Sequence, residues 1–215
     1  MATKHSLKNK KILITCGPTW IPIDKIRVIS NQSSGELGDK VAAKLIREGA
    51  KVTMIQGPVT YVPTCRPNRL IKYNFYEELA KSIKRELKKK YDVVIHAAAV
   101  SDYQLKKTYS SKLDSGRRLH LDLVPTKKII TQIKKQNPKT MLVGFKLEAN
   151  LKGRATLRKI DQLFKMAQCD LVVVNAIDRH RYQGLVVDRK KCILAKCENK
   201  KILASKLVKC IKSQL

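Results

Sequence analysis

Lys11-Ile12-Leu13-Ile14-Thr15-Cys16 is the stretch of sequence that decides the fold class. Its apolar run has the length of a buried strand. The segment Gly35–Glu48 then repeats apolar residues with the period of a helix, and Lys51–Gln56 is a second run of strand length. A strand, a helix and a strand in this order are typical of a parallel sheet that is covered by helices.

The alternation continues along the chain and predicts an α/β protein with a mostly parallel sheet. The further predicted strands are Leu70–Tyr73, Tyr91–Val100, Met141–Leu147 and Asp170–Ala176, and the further helices are Tyr76–Lys89, Lys127–Lys135, Leu151–Ala167 and Lys200–Lys212. Two short runs, Gly184–Val187 and Cys192–Ala195, predict a hairpin. We expect a single domain over residues 1–215, with a flexible basic N-terminus at residues 1–9.

One segment departs from the alternation. Residues Ser101–Gly116 are polar and irregular, and Leu119–Val124 then alternates apolar and polar residues like a half-exposed strand. We interpret this segment as a small β excursion from the main sheet. Because an isolated strand needs a partner, the excursion predicts a homodimer in which the strands of two subunits pair.

The charge balance makes nucleic acid the first partner to consider. The chain of 215 residues has 46 Lys and Arg against 17 Asp and Glu, which gives a net charge of +29, and clustered cations release counterions from phosphates. The cations here are spread along the chain, and in Glu77–Lys90 they fill the solvent face of an amphipathic helix. Only 5% of the residues are aromatic and able to stack single-stranded bases. We therefore expect nucleic-acid binding to be non-specific at most.

Cysteine use and hydropathy predict a soluble cytoplasmic protein. The six cysteines form no Cys-x-x-Cys pair, so we expect reduced thiols rather than a disulfide framework or a zinc site. The apolar run after the basic N-terminus is too short for a signal peptide, and no stretch has the ~20 apolar residues of a membrane span. His5, His120 and His180 have no carboxylate or cysteine at metal-ligand spacing, and His96 lies inside an apolar strand.

Polar residues follow several predicted strands at their carboxyl ends, where open α/β sheets bind ligands. The connection from Gly17 to Ser34 is long for a strand-to-helix loop, which usually has two to about six residues. It ends in Ser33-Ser34-Gly35 at the start of a predicted helix, where free backbone N–H groups favour a phosphate. Ser33 also fits a capping box with Glu36, so an ordinary helix cap is the alternative interpretation.

A second motif points to different chemistry. Tyr103 and Lys107 have the Tyr-x-x-x-Lys spacing that a short-chain dehydrogenase uses for proton transfer. A dinucleotide fold of that kind needs clustered glycines directly after the first strand, and here Gly17 is followed by Pro18-Thr19-Trp20. The pattern disfavours a nicotinamide enzyme.

Five blocks of sequence follow one another along the chain: Gly17–Gly38, Ala97–Tyr103, Lys112–Gly116 with the following Val124-Pro125, Val143–Glu148 and Asp170–Asn175. In this order they resemble the phosphopantothenoylcysteine synthetase family, the phosphopantothenate-cysteine ligases of coenzyme A synthesis. The resemblance covers roughly residues 8 to 215 and implies a Rossmann-like three-layer sandwich with a small β excursion for dimerisation. It also implies the stand-alone form, because the chain has no room for the flavin-dependent decarboxylase that precedes the ligase in many bacteria.

The resemblance implies a ligase that joins 4'-phosphopantothenate and L-cysteine through an acyl-nucleotide, with CTP or ATP as co-substrate and Mg²⁺ as cofactor. By match to the family's motifs, Asn31 would hold the acyl intermediate, with Arg27 as the basic residue beside it. Lys112 would stabilise the charge on the α-phosphate, Asp102 would hold Mg²⁺ or lie by the triphosphate, and Asn175 would close the substrate side. The other nucleotide-binding residues would be Gly17, Ser33, Ser34, Gly35, Ala98, Thr126, Lys127, Lys128, Ile129 and Phe145. The alternative is a basic nucleic-acid-binding or nucleotide-binding protein that has the same fold but no ligase activity.

Overall fold

The segment Lys11–Cys16 forms β1, a buried strand in the middle of the sheet, as its sequence predicts. The computed structural model describes residues 6–114, 116, 118–149, 151, 154–178 and 181–215, except for the side chains of residues 154, 155 and 178. Two of the histidines considered above, His5 and His180, lie outside the described residues.

The helices and the other strands of the main sheet follow the predicted alternation. The helices are α1 (Glu36–Arg47), α2 (Tyr76–Glu86), α3 (Ile130–Gln136), α4 (Arg154–Ala167) and α5 (Lys200–Gln214). The strands after β1 are β2 (Trp20–Pro22), β3 (Val28–Ser30), β4 (Lys51–Gln56), β5 (Arg69–Lys72), β6 (Val93–His96), β7 (Tyr103–Leu105), β8 (Leu123–Pro125), β9 (Met141–Glu148), β10 (Leu171–Asp178), β11 (Arg181–Asp188) and β12 (Ile193–Cys197). The short strands β2, β3 and β7 were not predicted.

Eight strands form the main sheet in the order β12-β11-β10-β9-β6-β1-β4-β5. The six strands from β10 to β5 are parallel, so their carboxyl ends lie at one edge. The predicted hairpin is present as β11 and β12, and β11 is also antiparallel to β10. The prediction of a mostly parallel sheet is confirmed.

Helices cover both faces of the sheet, which makes three layers. Helices α1 and α5 pack on one face, where Val41 and Leu207 belong to the same core as Ile14 of β1. Helices α2, α3 and α4 pack on the other face, where Ile83 meets Leu13. Alternate residues of β1 point to opposite faces, so the continuous apolar run contributes to both cores.

Three predicted elements are shorter than the sequence indicates, and in each case polar contacts end them. The strand after α2 stops at His96 because the next residues bond to the loop after β1, with the Ala99 N–H donating to the Gly17 carbonyl (2.9 Å). Helix α2 ends at Glu86 instead of Lys89, and Glu86 accepts bonds from the Lys89 ammonium and the Tyr91 hydroxyl. Helix α3 starts at Ile130 instead of Lys127, since residues 126–128 are irregular and residue 129 is in a turn.

The N-terminal residues that the structure describes are folded, so the prediction of a flexible segment at residues 1–9 is wrong for residues 6–9. Leu7 is buried against the α1/α5 core. The Asn9 N–H donates to the Gly49 carbonyl (3.0 Å) at the end of α1. Burial of one leucine and one backbone bond therefore attach this segment to the sheet.

The β excursion is paired within the chain. Strand β8 is antiparallel to β7, with Leu123 opposite Leu105 and Pro125 opposite Tyr103. The argument from a lone strand is therefore wrong, because the polar segment before it supplies a partner strand of the same chain.

No helix in the described part of the chain combines the length and the hydropathy needed to cross a bilayer. All six cysteines are described and have free thiols.

Candidate functional site

The loops after β1 and β6 are bonded to each other at the carboxyl edge of the sheet. The Thr19 N–H donates to the Ala99 carbonyl (3.3 Å), and the buried Thr19 hydroxyl accepts from the Ser101 N–H (2.9 Å). Gly17 has φ +81°, and a Cβ there would lie 3.1 Å from the backbone of Gly57. Only glycine lets the chain turn this closely at the end of β1.

Helix α1 begins at this edge without the predicted capping box. The residue before the helix is Gly35 (φ +79°), so Glu36 is the first helical residue instead of the third, and its carboxylate cannot reach back to Ser33. The Ser34 hydroxyl accepts from the Glu36 N–H (3.3 Å), while the Glu36 carboxylate pairs with Lys40 and Lys200. Ser33 is therefore not the helix cap, and Gly35 at the cap position has no side chain to bond to the helix.

Asn31 lies between these two loops. Its side-chain Nδ2 donates to the Ala99 carbonyl (3.1 Å), and its own carbonyl accepts from the Ser33 N–H (2.8 Å). The residue is exposed. Asn31 thus joins the segment before α1 to the loop after β6, where the sequence places the acyl intermediate.

The segment that carries Lys112 is held by Asp24 and Arg27, a set of contacts that we call the latch. The buried Asp24 carboxylate accepts from the backbone N–H groups of Ile26 (2.8 Å), Arg27 (2.7 Å) and Leu113 (3.1 Å). The Arg27 guanidinium donates to Asp24 (3.1 Å) and to the Leu113 carbonyl (3.2 and 3.3 Å). Both the backbone N–H and the carbonyl of Leu113 are thus hydrogen-bonded, directly after the exposed Lys112.

The same hydrogen bonds explain the acidity of Asp24. The N–H groups of Arg27 and Ile26 lower the pKa of its carboxyl to about 2, with a smaller contribution from the Leu113 N–H and the Arg27 charge. Asp24 therefore stays ionised at any pH at which the protein works. Sequence reasoning gave Asp24 no role, since its contact with Leu113 joins residues 89 positions apart.

A second group of predicted site residues meets on the other side of the loop after β6, which contains Ala99. The Thr126 hydroxyl donates to the Ser101 carbonyl (2.6 Å), and the Thr126 N–H donates to the Asp102 carbonyl (2.9 Å). The Lys128 ammonium forms an ion pair with the exposed Asp102 carboxylate, and the Tyr76 hydroxyl donates to the Lys127 carbonyl (2.7 Å). The segment Thr126–Ile129, which precedes α3 and includes the first residues of the predicted helix, thus lies next to Asp102.

The sheet separates the predicted nucleotide-binding residues into two sets. Ala98 and Ile129 pack with the core under α2–α4, whereas Phe145 packs with the core under α1 and α5, on the same face as the start of α1. Asn175 pairs with Leu147 and Gly184 and points to the α1/α5 face, since its neighbour Val174 belongs to the other core. The two sets meet only at the carboxyl edge, where Asn31 lies.

A buried polar pair lies under this edge and has no role in the sequence prediction. The Thr15 hydroxyl bonds to Nδ1 of His96 (2.9 Å) and accepts from the Ala98 N–H (3.2 Å). Burial lowers the pKa of His96 to about 4, so the imidazole is neutral. Since the Thr15 hydroxyl already accepts one bond, its hydrogen is available to His96. This pair supports the Ala98 backbone.

The described residues contain no group of three or more His, Cys, Asp or Glu side chains that could enclose a metal ion. Mg²⁺ is commonly held by one or two carboxylates together with substrate phosphates and water. The exposed Asp102 fits a site of that kind, with Lys128 as a competing cation. Asp102 could thus supply one oxygen ligand to a magnesium ion that a triphosphate brings with it.

An open, mostly parallel sheet with helices on both faces defines a Rossmann-like α/β protein, a class in which ligands bind at the carboxyl edge of the sheet. A family model described as the DNA/pantothenate metabolism flavoprotein C-terminal domain matches residues 7–214. The chain belongs to this family, which confirms the predicted resemblance.

Individual relatives agree with this assignment. The chain is 42% identical over 173 residues, 80% of its length and 42% of the relative's, to the coenzyme A biosynthesis bifunctional protein CoaBC of Thermococcus kodakarensis. The chain spans about half the length of the curated relatives it matches.

Two solved structures share the fold. The DNA/pantothenate metabolism flavoprotein from Streptococcus pneumoniae has a TM-score of 0.84 at 25% identity, over 96% of this chain and 100% of that one. A Cab2 H337A mutant in complex with phosphopantothenate-cysteine has a TM-score of 0.77 at 17% identity, over 96% of this chain and 87% of that one.

Proposed function

We propose that the chain is a phosphopantothenate-cysteine ligase that uses CTP or ATP. Membership of the family and the latch support the proposal together. The observation that carries it is the attachment of Leu113 to Asp24 and Arg27, because it holds the segment with Lys112 against the loop that leads to Asn31. Lys112, the proposed cation for the α-phosphate, and Asn31, the proposed amide for the acyl group, are then on segments that are bonded to each other.

The proposed chemistry has two steps. An oxygen of the phosphopantothenate carboxylate attacks the α-phosphorus of the nucleotide, and the bond from this phosphorus to the pyrophosphate oxygen breaks. The cysteine nitrogen, as a neutral amine, then bonds to the acyl carbon while the bond from that carbon to the phosphate oxygen breaks. The nucleoside monophosphate leaves with the bonding electrons, and the nitrogen releases a proton to solvent.

In the first step Lys112 stabilises the negative charge that builds on the α-phosphate, and Asn31 then holds the acyl-nucleotide. Arg27 acts through the latch and contributes positive charge beside the substrate. The face with Ala98, Asp102 and Thr126–Ile129 binds the nucleotide, and the start of α1 with Ser33-Ser34-Gly35 binds phosphate groups. Asp102 and the phosphates would hold Mg²⁺, which would neutralise charge on the triphosphate.

The finer parts of this proposal are the choice between CTP and ATP, the magnesium ion, a homodimer and a cytoplasmic location. The rival is a basic protein that binds nucleotides or nucleic acid without ligation.

The test is an assay of the purified chain with phosphopantothenate, cysteine, MgCl₂ and either CTP or ATP. We expect phosphopantothenoylcysteine by mass spectrometry and one pyrophosphate for each product molecule, with EDTA stopping the reaction. Omission of phosphopantothenate is the control for simple nucleotide hydrolysis. Nucleotide binding with no product in any combination would favour the rival.

A further inference from the structure

Glu148, the last residue of β9, has a buried carboxylate that the mechanism above does not use. Its side chain is only 10% exposed, and Lys159 of α4 forms an ion pair with its Oε2. Its Oε1 is buried and has no hydrogen-bond partner among the described residues. Folded proteins rarely leave a buried charged acceptor unpaired, because the desolvated oxygen is costly.

The strand register places Glu148 at the carboxyl edge of the sheet. Gly144 of β9 lies opposite His96, where β6 ends, and β9 continues to Glu148, which lies opposite Ala176 of β10. The segment that follows β6 at this edge carries Ala99, whose carbonyl accepts from Asn31. Glu148 and the backbone at which Asn31 would hold the acyl carbon are therefore at the same edge, after the ends of neighbouring strands.

The ion pair with Lys159 indicates which ligand this carboxylate takes. The ammonium group of Lys159 donates to Oε2 of Glu148. The Glu148 carboxylate thus already binds one primary ammonium group, through a charge-assisted hydrogen bond. The Lys159 side chain is 47% exposed, so it can turn into solvent and open the carboxylate to another cation. Both side chains lie on the α2–α4 face, as does Ala98.

We propose that Glu148 binds the primary ammonium group of the amino acid that attacks the acyl-nucleotide, with Oε1 accepting its N–H donors. The inference rests on the proposed ligase function and adds the site of the second substrate. A charged, desolvated acceptor favours a cationic ligand over the neutral amino group of a nucleobase. The reason is that charge-assisted hydrogen bonds are roughly twice as strong as hydrogen bonds between neutral groups. The bound ammonium releases one proton to solvent before its nitrogen attacks as the neutral amine. The site would hold this nitrogen at the same edge as the acyl carbon and favour it over water as the nucleophile.

The test compares Glu148→Gln with the wild-type protein in two reactions. With cysteine we expect the KM for cysteine to rise at least tenfold in the variant, while the KM for the nucleotide and pyrophosphate release without cysteine change less than twofold. With hydroxylamine, which is uncharged at neutral pH and traps acyl-nucleotides, we expect equal rates from both proteins. Glu148→Asp keeps the charge and should lie between the two.

Lys159→Gln is the matched control, because it breaks the same ion pair and keeps the carboxylate. If the ion pair matters only for folding, Lys159→Gln will raise the KM for cysteine as much as Glu148→Gln does. We expect no rise in Lys159→Gln. An unchanged cysteine KM in Glu148→Gln, an equal loss with hydroxylamine, or a rise in the nucleotide KM instead would overturn the inference. Failure of the wild-type protein to release pyrophosphate would instead contradict the proposed function itself.

Discussion

At the scale of single residues, Lys112 and Asn31 lie on different segments, so their contributions can be separated. Lys112 is exposed on the excursion, whereas Asn31 bonds to Ala99. If Lys112 stabilises charge on the α-phosphate, Lys112→Gln should lower pyrophosphate release from nucleotide and phosphopantothenate by at least 100-fold. Asn31→Asp should still form the acyl-nucleotide but pass it slowly to cysteine. Single-turnover quench experiments measure both steps, and equal loss of the first step in both variants would contradict these roles.

Asp24 should matter through the position of the Lys112 segment. In Asp24→Asn the amide group would place a donor opposite the Leu113 N–H and the Arg27 guanidinium, both of which are donors. We expect faster hydrogen exchange at Leu113 and a first half-reaction slowed on the order of 10 to 100-fold. The KM for cysteine should hardly change.

Asp122→Asn is the matched control for Asp24→Asn. Asp122 is on the same excursion but its side chain is 72% exposed, in an ion pair with Lys106. Exposed pairs contribute little, so this variant should resemble the wild-type protein in exchange and rate. Identical behaviour of the two variants would show that the latch does not position Lys112.

His96 should make the protein less stable in weak acid. The pKa of His96 is lowered to about 4 by burial, against about 6.5 in an unfolded chain. The unfolded state therefore binds the proton first, and the free energy of unfolding should fall as the pH drops from 6.5 to 4, by roughly 3 kcal/mol. Urea unfolding at several pH values measures this. His96→Gln cannot titrate, so its stability should lose this slope, and a slope equal to that of the wild-type protein would exclude His96 as the cause.

At the scale of elements, the β excursion remains the expected dimer contact although β7 and β8 pair within one chain. Leu119 and Leu123 are 47% and 43% exposed on it, so an apolar face is available to a second subunit. Leu119→Lys with Leu123→Lys should convert a dimer into a monomer in light scattering. Leu157→Lys, at an exposed leucine of α4, should not. A wild-type monomer with full activity at working concentration would contradict this prediction.

The ends of elements show why the sequence was only partly sufficient. Val93–His96 and Ile130–Gln136 have the predicted type but are shorter, because hydrogen bonds to distant loops replace the ladder and the first helical turn. The capping box at Ser33 failed for a related reason. Gly35 adopts a left-handed conformation, and a Cβ at this position would lie 2.9 Å from the Val59 side chain. The proximity of Val59 exists only in the folded chain.

At the scale of the whole molecule, the net charge of +29 should affect the reaction only near the site. Lys84, Lys88 and Lys90 are exposed around the end of α2, which leads into the amino end of β6. A six-residue strand such as β1 separates the two edges by about 20 Å, more than two Debye lengths at physiological salt. Changing these three lysines to Gln should leave kcat/KM within about twofold.

Lys89 is excluded from this triple variant because it pairs with the buried Glu86 carboxylate, so its loss would also destabilise the fold. Lys128→Gln is the comparison, since Lys128 lies on Asp102 at the site, and it should lower kcat/KM at least tenfold. If kcat/KM of the distant triple variant fell as far, the lysines spread over the surface would contribute to function, and binding of an extended polyanion would have to be considered again.

The sequence by itself determined the fold class, the order of elements and the family, because apolar periodicity and five short motifs are local and need no knowledge of distant contacts. It also identified Asn31, Arg27 and Lys112 as a set. Only the tertiary structure decided that Asp24 and Arg27 hold the segment next to Lys112, that the predicted nucleotide-binding residues divide between two faces, and that one buried oxygen of Glu148 has no partner among the described residues. These features depend on contacts between distant residues, such as Asp24 and Leu113, which are 89 positions apart, and such pairings are set by packing of the whole chain.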